Sequence, residues 1–280
     1  MIVPAYAKLN LTLDLLGRRD DGYHEIASVM QTISLHDLLL VERAECRSFE
    51  VFGPPLEGEN LVLKAARALE AWTGRALGFR IRLHKRIPIG GGLGGGSSDA
   101  ASFLKAADRL YGLKLAREEM LEIAGGLGQD VPFFLGGGTA VASGRGATVE
   151  ALPPLPRSWS FLVACPQLGL STAEVYQAAD GSRMATADRT PRVAAALRAG
   201  RPVDPAELGN DLEPAALEVH PPLKPVIAQM REHVPQLRMT GTGSAFYALF
   251  PEAVAAQAAF ERMVRAGLAV RLCRVIGPTP

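Results

Sequence analysis

The chain has 280 residues, which predicts about two domains and enough length to bury a full hydrophobic core. Hydrophobic residues make up 48% and charged residues 21%, proportions that exclude a disordered or fibrous chain. Lys and Arg (30) against Asp and Glu (29) give a net charge of +1. This balance excludes the broad positive charge on which non-specific nucleic-acid binding depends.

Neither a membrane helix nor a secretory leader is expected. The longest stretch without charged residues, 158–173, is interrupted by Pro166 and is shorter than the roughly 20 apolar residues of a spanning helix. Residues 1–14 lack the order of a secretory leader. Three cysteines, Cys46, Cys165 and Cys273, lie far apart without metal-ligand spacing, which predicts a reduced, cytoplasmic compartment.

Alternating apolar and polar residues predict two strands in the first half of the chain. Residues 7–16 alternate as a half-buried strand does, and a turn is expected at Asp20, Asp21 and Gly22. Residues 79–83 alternate in the same way.

A glycine loop follows. Six glycines lie between residues 90 and 96, and apolar residues recur at helical spacing from Ser97 onward, so the loop opens a helix. Without side chains the backbone N–H groups can approach a ligand, and the helix dipole adds partial positive charge, which favours phosphate. Ser97 and Ser98 are predicted to cap the helix, and their hydroxyls could also reach a phosphate or its metal.

Other interpretations of this loop fit less well. A P-loop needs a lysine before its Ser or Thr, whereas Ser97 follows Gly96 directly. A dinucleotide-binding fold needs an acidic residue at the end of a second strand, and the candidate Asp108 falls in mid-helix. A flexible linker would not pass directly into an amphipathic helix.

A cluster of prolines at 153–156 predicts a domain boundary near residue 150, between domains 1–150 and 151–280. Behind it, strands are expected at 161–164 and 245–250, helices at 214–218, 224–233 and 253–266, and short surface helices and loops over 178–205. This order predicts an α+β architecture in both halves.

Three segments resemble those of the GHMP kinases, the family of galactokinase and of homoserine, mevalonate and phosphomevalonate kinases. They are PIGGGLGGGSS at 88–98, PAYAKLNL at 4–11 and TGTGS at 240–244. The doubled GGG followed by SS is the most specific of them. The resemblance spans nearly the whole chain and is thinnest over 178–208. Residues 8–11 with RRDDGYH at 18–24 look most like the branch that acts on a cytidine diphosphate-linked methylerythritol.

The resemblance implies a two-domain α+β GHMP kinase fold. The N-terminal, ATP-binding domain would be ribosomal-protein-S5-like, the C-terminal domain ferredoxin-like, and the active site would lie in the cleft between them. The implied reaction transfers the γ-phosphoryl group of ATP to the 2-hydroxyl of the methylerythritol unit, in the non-mevalonate route to isoprenoids. Mg²⁺ would arrive with ATP, held mainly by the phosphates, because the sequence has no metal-site spacing. A monomer or homodimer is expected.

Phosphoryl transfer needs a phosphate cradle, a cation and a group that prepares the attacking hydroxyl. Asp130, in GQDVPFF at 128–134, occupies the position of the family's catalytic aspartate. Lys8 would pair with it and either orient the hydroxyl or stabilise developing charge. Without the resemblance, Asp130 would be interpreted as a turn or cap residue and Lys8 as an exposed strand lysine.

The resemblance also implies the binding residues. ATP is expected along the glycine loop, at Pro88, Gly90, Gly91, Gly92, Leu93, Gly94, Gly95, Gly96, Ser97 and Ser98, with Asn60, Leu61, Val62 and Lys85 at the adenine end. The substrate is expected at Asn10, Tyr23, His24, Tyr176, Thr240 and Gly241. Tyr23 and Tyr176 would hold the pyrimidine between two rings, and Asn10 would contact the methylerythritol unit.

Other functions stay open at this point. They are a GHMP kinase acting on homoserine, mevalonate or phosphomevalonate, a non-catalytic member of the fold that binds a metabolite or a partner protein, and, more distantly, a dinucleotide-dependent oxidoreductase. The Tyr23–His24 pair favours the cytidylated alcohol. A binding module would have no need of Lys8, Asp130 and the glycine loop together.

Overall fold

A computed structural model describes residues 1–55, 58–166, 168–180 and 188–279, in which helices pack against two β-sheets. The strands are β1 (Ile2–Asn10), β2 (Thr12–Arg18), β3 (His24–Arg43), β4 (Ser48–Phe52), β5 (Phe79–His84), β6 (Thr139–Gly144), β7 (Thr148–Ala151), β8 (Ser160–Ala164), β9 (Gly209–Asn210), β10 (Arg238–Met239), β11 (Phe246–Phe250) and β12 (Val270–Arg274). The helices are α1 (Leu61–Thr73), α2 (Gly95–Tyr111), α3 (Arg117–Leu127), α4 (Val131–Gly136), α5 (Thr172–Ala179), α6 (Arg189–Arg198), α7 (Glu213–Val219), α8 (Leu223–His233) and α9 (Ala253–Arg265), with a 3₁₀ turn at Pro205–Glu207.

The larger sheet contains β1 to β7 and β9 and is organised around the 20-residue strand β3. β3 pairs antiparallel with β1, β2, β5 and β6, while the short β9 runs parallel to β2. Helices α1 to α4 cover one face of the sheet and bury Phe79, Phe103 and Phe133 against it. Each such side chain stabilises the fold by about 1.5–3 kcal/mol.

The smaller sheet has the order β10-β11-β8-β12 and is antiparallel throughout. One face shares a core with the larger sheet, where Phe161 and Tyr247 meet Leu9 and Val29. Helices α5, α7, α8 and α9 cover the other face. The layers therefore run helix, sheet, sheet, helix, and the predicted α+β architecture is confirmed. None of the helices in the described part of the chain is long and apolar enough to cross a membrane.

One predicted strand is divided in two. Residues 7–16 form the end of β1 and the start of β2, separated by a bend at Leu11. The carbonyl of Leu11 accepts hydrogen bonds from the Tyr247 hydroxyl (2.8 Å) and the Gly209 N–H (3.1 Å). The bend therefore ties β1 and β2 to the second half of the chain, a long-range contact that local alternation cannot reveal.

The expectation of surface helices and loops over 178–205 is partly wrong. Helix α6 lies in this segment and buries Val193, Ala194 and Leu197 in the core between the sheets. Thr190 and Thr12 also share a buried hydrogen bond between their hydroxyls (2.7 Å). Residues 181–187 of the segment lie outside the described part of the chain.

The other predicted elements are confirmed to within one or two residues: strands at 79–83, 161–164 and 245–250, and helices at 214–218, 224–233 and 253–266. The domain boundary near residue 150 falls between β7 and β8 and stays a prediction, since β9 from the second half joins the larger sheet.

Candidate active site

A cavity of about 850 Å³ lies between the glycine loop, the end of β1 and helix α5. Many of the residues singled out in the sequence line it: Lys8, Asn10, Tyr23, His24, Gly92, Gly94, Ser97, Asp130, Tyr176 and Gly241. These residues come from segments separated by up to 233 positions, and the fold brings them to one place.

The glycine loop has a backbone conformation suited to binding an anion. Gly90, Gly92 and Gly94 have φ values of +69°, +71° and +69°, and they alternate with residues outside the left-handed region. Such alternation turns successive N–H groups toward one side, which makes an anion-binding nest. Helix α2 begins directly behind the loop, so its dipole adds to the effect.

The predicted capping of α2 by Ser97 and Ser98 is wrong. The N-cap is Gly94, which has no side chain to bond the helix, and the two serines are the third and fourth helical residues. Ser97 lines the cavity, whereas Ser98 is buried and donates its N–H to the carbonyl of Gly94 (2.9 Å). The sequence could not fix the start of the helix, because glycine is itself acceptable at an N-cap.

The TGTGS turn packs against the glycine loop. A Cβ on Gly92 would lie 2.3 Å from the carbonyl oxygen of Thr240, so only glycine fits there. The N–H groups of Ser244 and Ala245 donate to the carbonyls of Gly90 (3.3 Å) and Gly91 (3.2 Å). The turn thus fixes the outer edge of the loop.

The inner edge is fixed by β1, since the N–H of Lys8 donates to the carbonyl of Leu93 (3.0 Å). The Lys8 ammonium is almost fully buried and lies 3.5 Å from Oδ2 of Asp130, which is about one-third exposed. Asp130 precedes α4 but makes no side-chain cap bond to it, so its carboxylate is available to the cavity.

Asn10 holds the Lys8 side chain in place. The ammonium donates to Oδ1 of Asn10, and the Asn10 amide donates to Oγ of Ser28 (2.8 Å). The backbone N–H of Asn10 donates to the hydroxyl of Thr240 (2.8 Å). This buried chain of hydrogen bonds orients both Lys8 and Asn10 before any ligand arrives.

Lys85 lies beneath the glycine loop. Its buried ammonium contacts the carboxylates of Asp37 and Asp99, the latter at 2.8 Å, and lies 3.3 Å from where a Cβ of Gly95 would be. Burial lowers the pKa of Lys85, but the two carboxylates more than offset this and raise it overall. Burial raises the pKa of Asp99 to about 7, against the opposing charge of Lys85.

Of the residues expected at the adenine end, Asn60, Leu61 and Val62 lie at the start of helix α1, whereas Lys85 lies beneath the glycine loop. Asn60 is the N-cap of α1, with Oδ1 accepting from the Val62 N–H (2.8 Å). Val62 is fully buried, and the side chain of Leu61 lies 3.6 Å from where a Cβ of Gly96 would be. The start of α1 therefore borders the far end of the glycine loop.

An aromatic group forms the opposite end of the cavity. The rings of His24 and Tyr176 lie 5.1 Å apart, and Nε2 of His24 lies 2.7 Å from the carboxylate of Asp180. Because a carboxylate can only accept, Nε2 carries the proton and Nδ1 remains for a ligand. Burial, together with the charge of Asp130, raises the pKa of Tyr176 to about 12, which keeps its hydroxyl a donor. The structure therefore pairs the ring of Tyr176 with that of His24, whereas the sequence predicts Tyr23 as the second ring.

Tyr23 is 53% exposed and faces Arg145, whose guanidinium lies 3.6 Å from the centre of the ring. The Nε of Arg145 is buried and has no hydrogen-bond partner within the described ranges. Sequence reasoning missed both Arg145 and Asp180. The available clue to Arg145 was its place between Gly144 and Gly146, which marks a tight turn between β6 and β7.

Across the described residues, no group of three or more His, Cys, Asp or Glu side chains is placed to hold a metal ion.

Comparison with known proteins identifies relatives over most of the chain. Residues 60–138 match the "GHMP kinases N terminal domain" and residues 193–269 the "GHMP kinases C terminal" family. The 4-diphosphocytidyl-2-C-methyl-D-erythritol kinase of Carboxydothermus hydrogenoformans is 42% identical over 89% of this chain and 88% of its own. That of Cupriavidus necator is also 42% identical, over 93% and 88%.

Solved structures agree with these relatives. A crystal structure of 4-(cytidine 5'-diphospho)-2C-methyl-D-erythritol kinase superposes with a TM-score of 0.79 at 36% identity, covering 99% of this chain and 100% of that one. Streptococcus pneumoniae phosphomevalonate kinase, in complex with phosphomevalonate and AMPPNP, superposes with a TM-score of 0.71 at 14% identity, covering 98% and 99%, which shows a shared fold only.

Proposed function

The chain belongs to the GHMP kinase family and, within it, to the 4-diphosphocytidyl-2-C-methyl-D-erythritol kinases, and on this premise we propose how its cavity works. The enzyme phosphorylates the 2-hydroxyl of 4-diphosphocytidyl-2-C-methyl-D-erythritol with ATP. One observation carries the assignment of roles: the Lys8–Asp130 pair lies in the same cavity as the glycine loop at one end and the His24–Tyr176 pair at the other.

The glycine loop holds the phosphates of ATP in this proposal. The nest of N–H groups, the dipole of α2 and the hydroxyl of Ser97 all suit an anionic group. Because Gly92 has no side chain, the loop can pack closely against the TGTGS turn and keep this conformation. The start of α1, at Asn60 and Leu61, borders the adenine. Mg²⁺ would arrive with ATP, held chiefly by the phosphate oxygens, and would neutralise their charge.

Asp130 prepares the acceptor hydroxyl and takes its proton. Lys8 stands 3.5 Å from the carboxylate, where its ammonium orients the hydroxyl and stabilises charge that develops during transfer. Because Asn10, which is itself held by Thr240, already fixes the Lys8 side chain, little reorganisation is required when substrate binds.

The aromatic end holds the cytidine. Tyr176 supplies a ring face and a hydroxyl donor, and His24, oriented by Asp180, supplies Nδ1 to the edge of the base. Arg145 lies over Tyr23 and lines the cavity, and its guanidinium suits the diphosphate that joins cytidine to methylerythritol. A monomer or homodimer fits the proposal equally well.

The test is ATP-dependent phosphate transfer to each candidate alcohol. We expect turnover with the cytidylated alcohol and none with mevalonate, phosphomevalonate or homoserine. Turnover of one of those alcohols, with none of the cytidylated one, would contradict the proposal.

Variants then test the roles. Asp130→Asn and Lys8→Met should each lower turnover by about a hundredfold or more, the scale of general-base and electrostatic groups. The exposed residues Asp188 and Lys224 provide the matched controls Asp188→Asn and Lys224→Met, which should keep wild-type rates. Unchanged turnover in Asp130→Asn or Lys8→Met removes that residue from the mechanism.

A further inference from the structure

A second cavity, of about 690 Å³, lies outside the proposed active site. Its walls come from the start of β1, the middle of α2 and residues 274–279 at the end of the chain. None of its described lining residues is shared with the active-site cavity. A ligand there would therefore not occupy the kinase site.

Positive charge dominates this second cavity. Lys105, Arg109, Arg157 and Arg274 line it, and the described lining residues include neither Asp nor Glu. The four cations come from three separate parts of the chain, α2, the loop before β8 and the end of β12. Their convergence on one concave space distinguishes them from the scattered cations of an ordinary surface, which usually alternate with carboxylates.

Lys105 is the most revealing of the four. Its ammonium contacts only neutral groups among the described residues, the hydroxyl of Thr279 (3.0 Å) and, at 3.5 Å, the carbonyl of Leu135. Burial, and secondly the charge of Arg109 one turn further along α2, lowers the pKa of Lys105 to about 8. Buried cations are usually paired with an anion, and two cations four residues apart on a helix repel each other. A bound anion would therefore offset both the burial of the Lys105 charge and its repulsion by Arg109.

The remaining wall is apolar. Ile2, Val3 and Pro4 of β1 face the cavity together with Ile276 and Pro278. Ile2 is 67% exposed, an unusual fraction for a strand residue of this kind. The cavity therefore combines a site for negative charge with a surface for an apolar group.

We propose that this cavity is a second ligand site, which binds a small molecule with a phosphate or diphosphate group joined to an apolar chain. Lys105, Arg109 and Arg274 hold the anionic group, and the β1 wall covers the chain.

Calorimetry with inorganic pyrophosphate and n-pentyl diphosphate as probes tests the site. The active site is first saturated with a non-hydrolysable ATP analogue and the cytidylated alcohol, so that the probes report only on other sites. We expect both probes to bind, the pentyl compound more tightly. Lys105→Gln and Arg274→Gln should each weaken binding tenfold or more, whereas Arg265→Gln, an exposed cation on α9 outside the cavity, should leave it unchanged.

Proton uptake provides a second measurement, which would not change if Lys105 served only to stabilise the fold. At pH 8 the wild type should take up protons on binding pyrophosphate, measured as a dependence of the binding heat on the ionisation enthalpy of the buffer, and Lys105→Gln should lose this uptake. No binding with the active site saturated, or equal affinity in wild type, Lys105→Gln and Arg274→Gln, overturns the proposal. Arg274 is exposed, so its variant keeps the test valid even where Lys105→Gln fails to fold.

Discussion

Asp99 and Asp37 share the single ammonium of Lys85, so this buried cluster has one net negative charge when all three groups are ionised. Oδ1 of Asp99 has no hydrogen-bond partner in the part of the chain that the structure describes. Asp99→Asn removes the excess charge and leaves Lys85 paired with Asp37. We therefore expect this substitution to stabilise the protein near neutral and at alkaline pH, the reverse of what breaking a buried ion pair normally does.

The size of the effect follows from the pKa of Asp99, about 7 in the folded protein against 3.8 ordinarily. Between these values the folded state keeps a proton that the unfolded chain releases. The stability that this proton contributes is present at low pH and is lost as the pH rises, by about 1.4 kcal/mol per pH unit. Between pH 5 and pH 8 the free energy of unfolding of the wild type should thus fall by about 3 kcal/mol relative to that of Asp99→Asn.

Thermal unfolding from pH 5 to pH 8 measures this difference. At about 2–4 °C per kcal/mol for a domain of this size, the midpoint of Asp99→Asn relative to wild type should rise by about 6–12 °C over that range. Asp188→Asn, at an exposed carboxylate, should show no such trend, and Lys85→Met, which leaves two buried carboxylates unpaired, should destabilise at every pH tested. A midpoint difference for Asp99→Asn that stays constant with pH would refute the reasoning.

Three further predictions concern the active-site cavity. Gly92→Ala should abolish kinase activity and lower the unfolding midpoint, because the φ of Gly92 is +71° and the new Cβ would lie 2.3 Å from a backbone oxygen. Gly91→Ala is the control: its Cβ would lie 3.5 Å from the nearest atom, so this variant should keep most of the activity and of the stability. Tyr176→Ala should raise the KM for the cytidylated alcohol about tenfold, whereas Tyr176→Phe, which keeps the ring, should raise it less, and equal effects would argue against stacking. Arg145→Gln should raise the same KM about tenfold with little change in kcat, and an unchanged KM would separate Arg145 and its partner Tyr23 from the diphosphate.

The elements that the sequence predicted well are those whose signal lies within a short stretch of the chain. The glycine loop and helix α2 follow from glycine content and helical spacing within 25 residues, and the strands at 79–83 and 161–164 follow from their own apolar patterns. β3 was missed because the centre of this 20-residue strand, which pairs with four others, is buried on both faces and includes the polar residues Ser28, Gln31 and Thr32, so apolar and polar residues do not alternate cleanly there.

Site residues divide in the same way. Lys8 and Asp130 lie in segments with a family pattern, and the fold places them 3.5 Å apart. Arg145 and Asp180 lie in segments without one, and their importance comes from contacts with Tyr23 and His24, more than 100 residues earlier in the chain. Only the tertiary arrangement reveals a residue whose partners are that distant in sequence.

Helix α2 links the two charged regions of the molecule. Its N-terminus forms the phosphate cradle, Asp99 lies in its first turns beneath that cradle, and Lys105 faces the second cavity from its middle. An ionised Asp99 would place net negative charge under a loop built to receive phosphate, so the proton that burial holds on Asp99 leaves the Lys85 cluster neutral there. Burial of this carboxylate therefore lowers the stability of the protein at high pH and, below pH 7, keeps the base of the glycine loop free of net charge that would repel ATP.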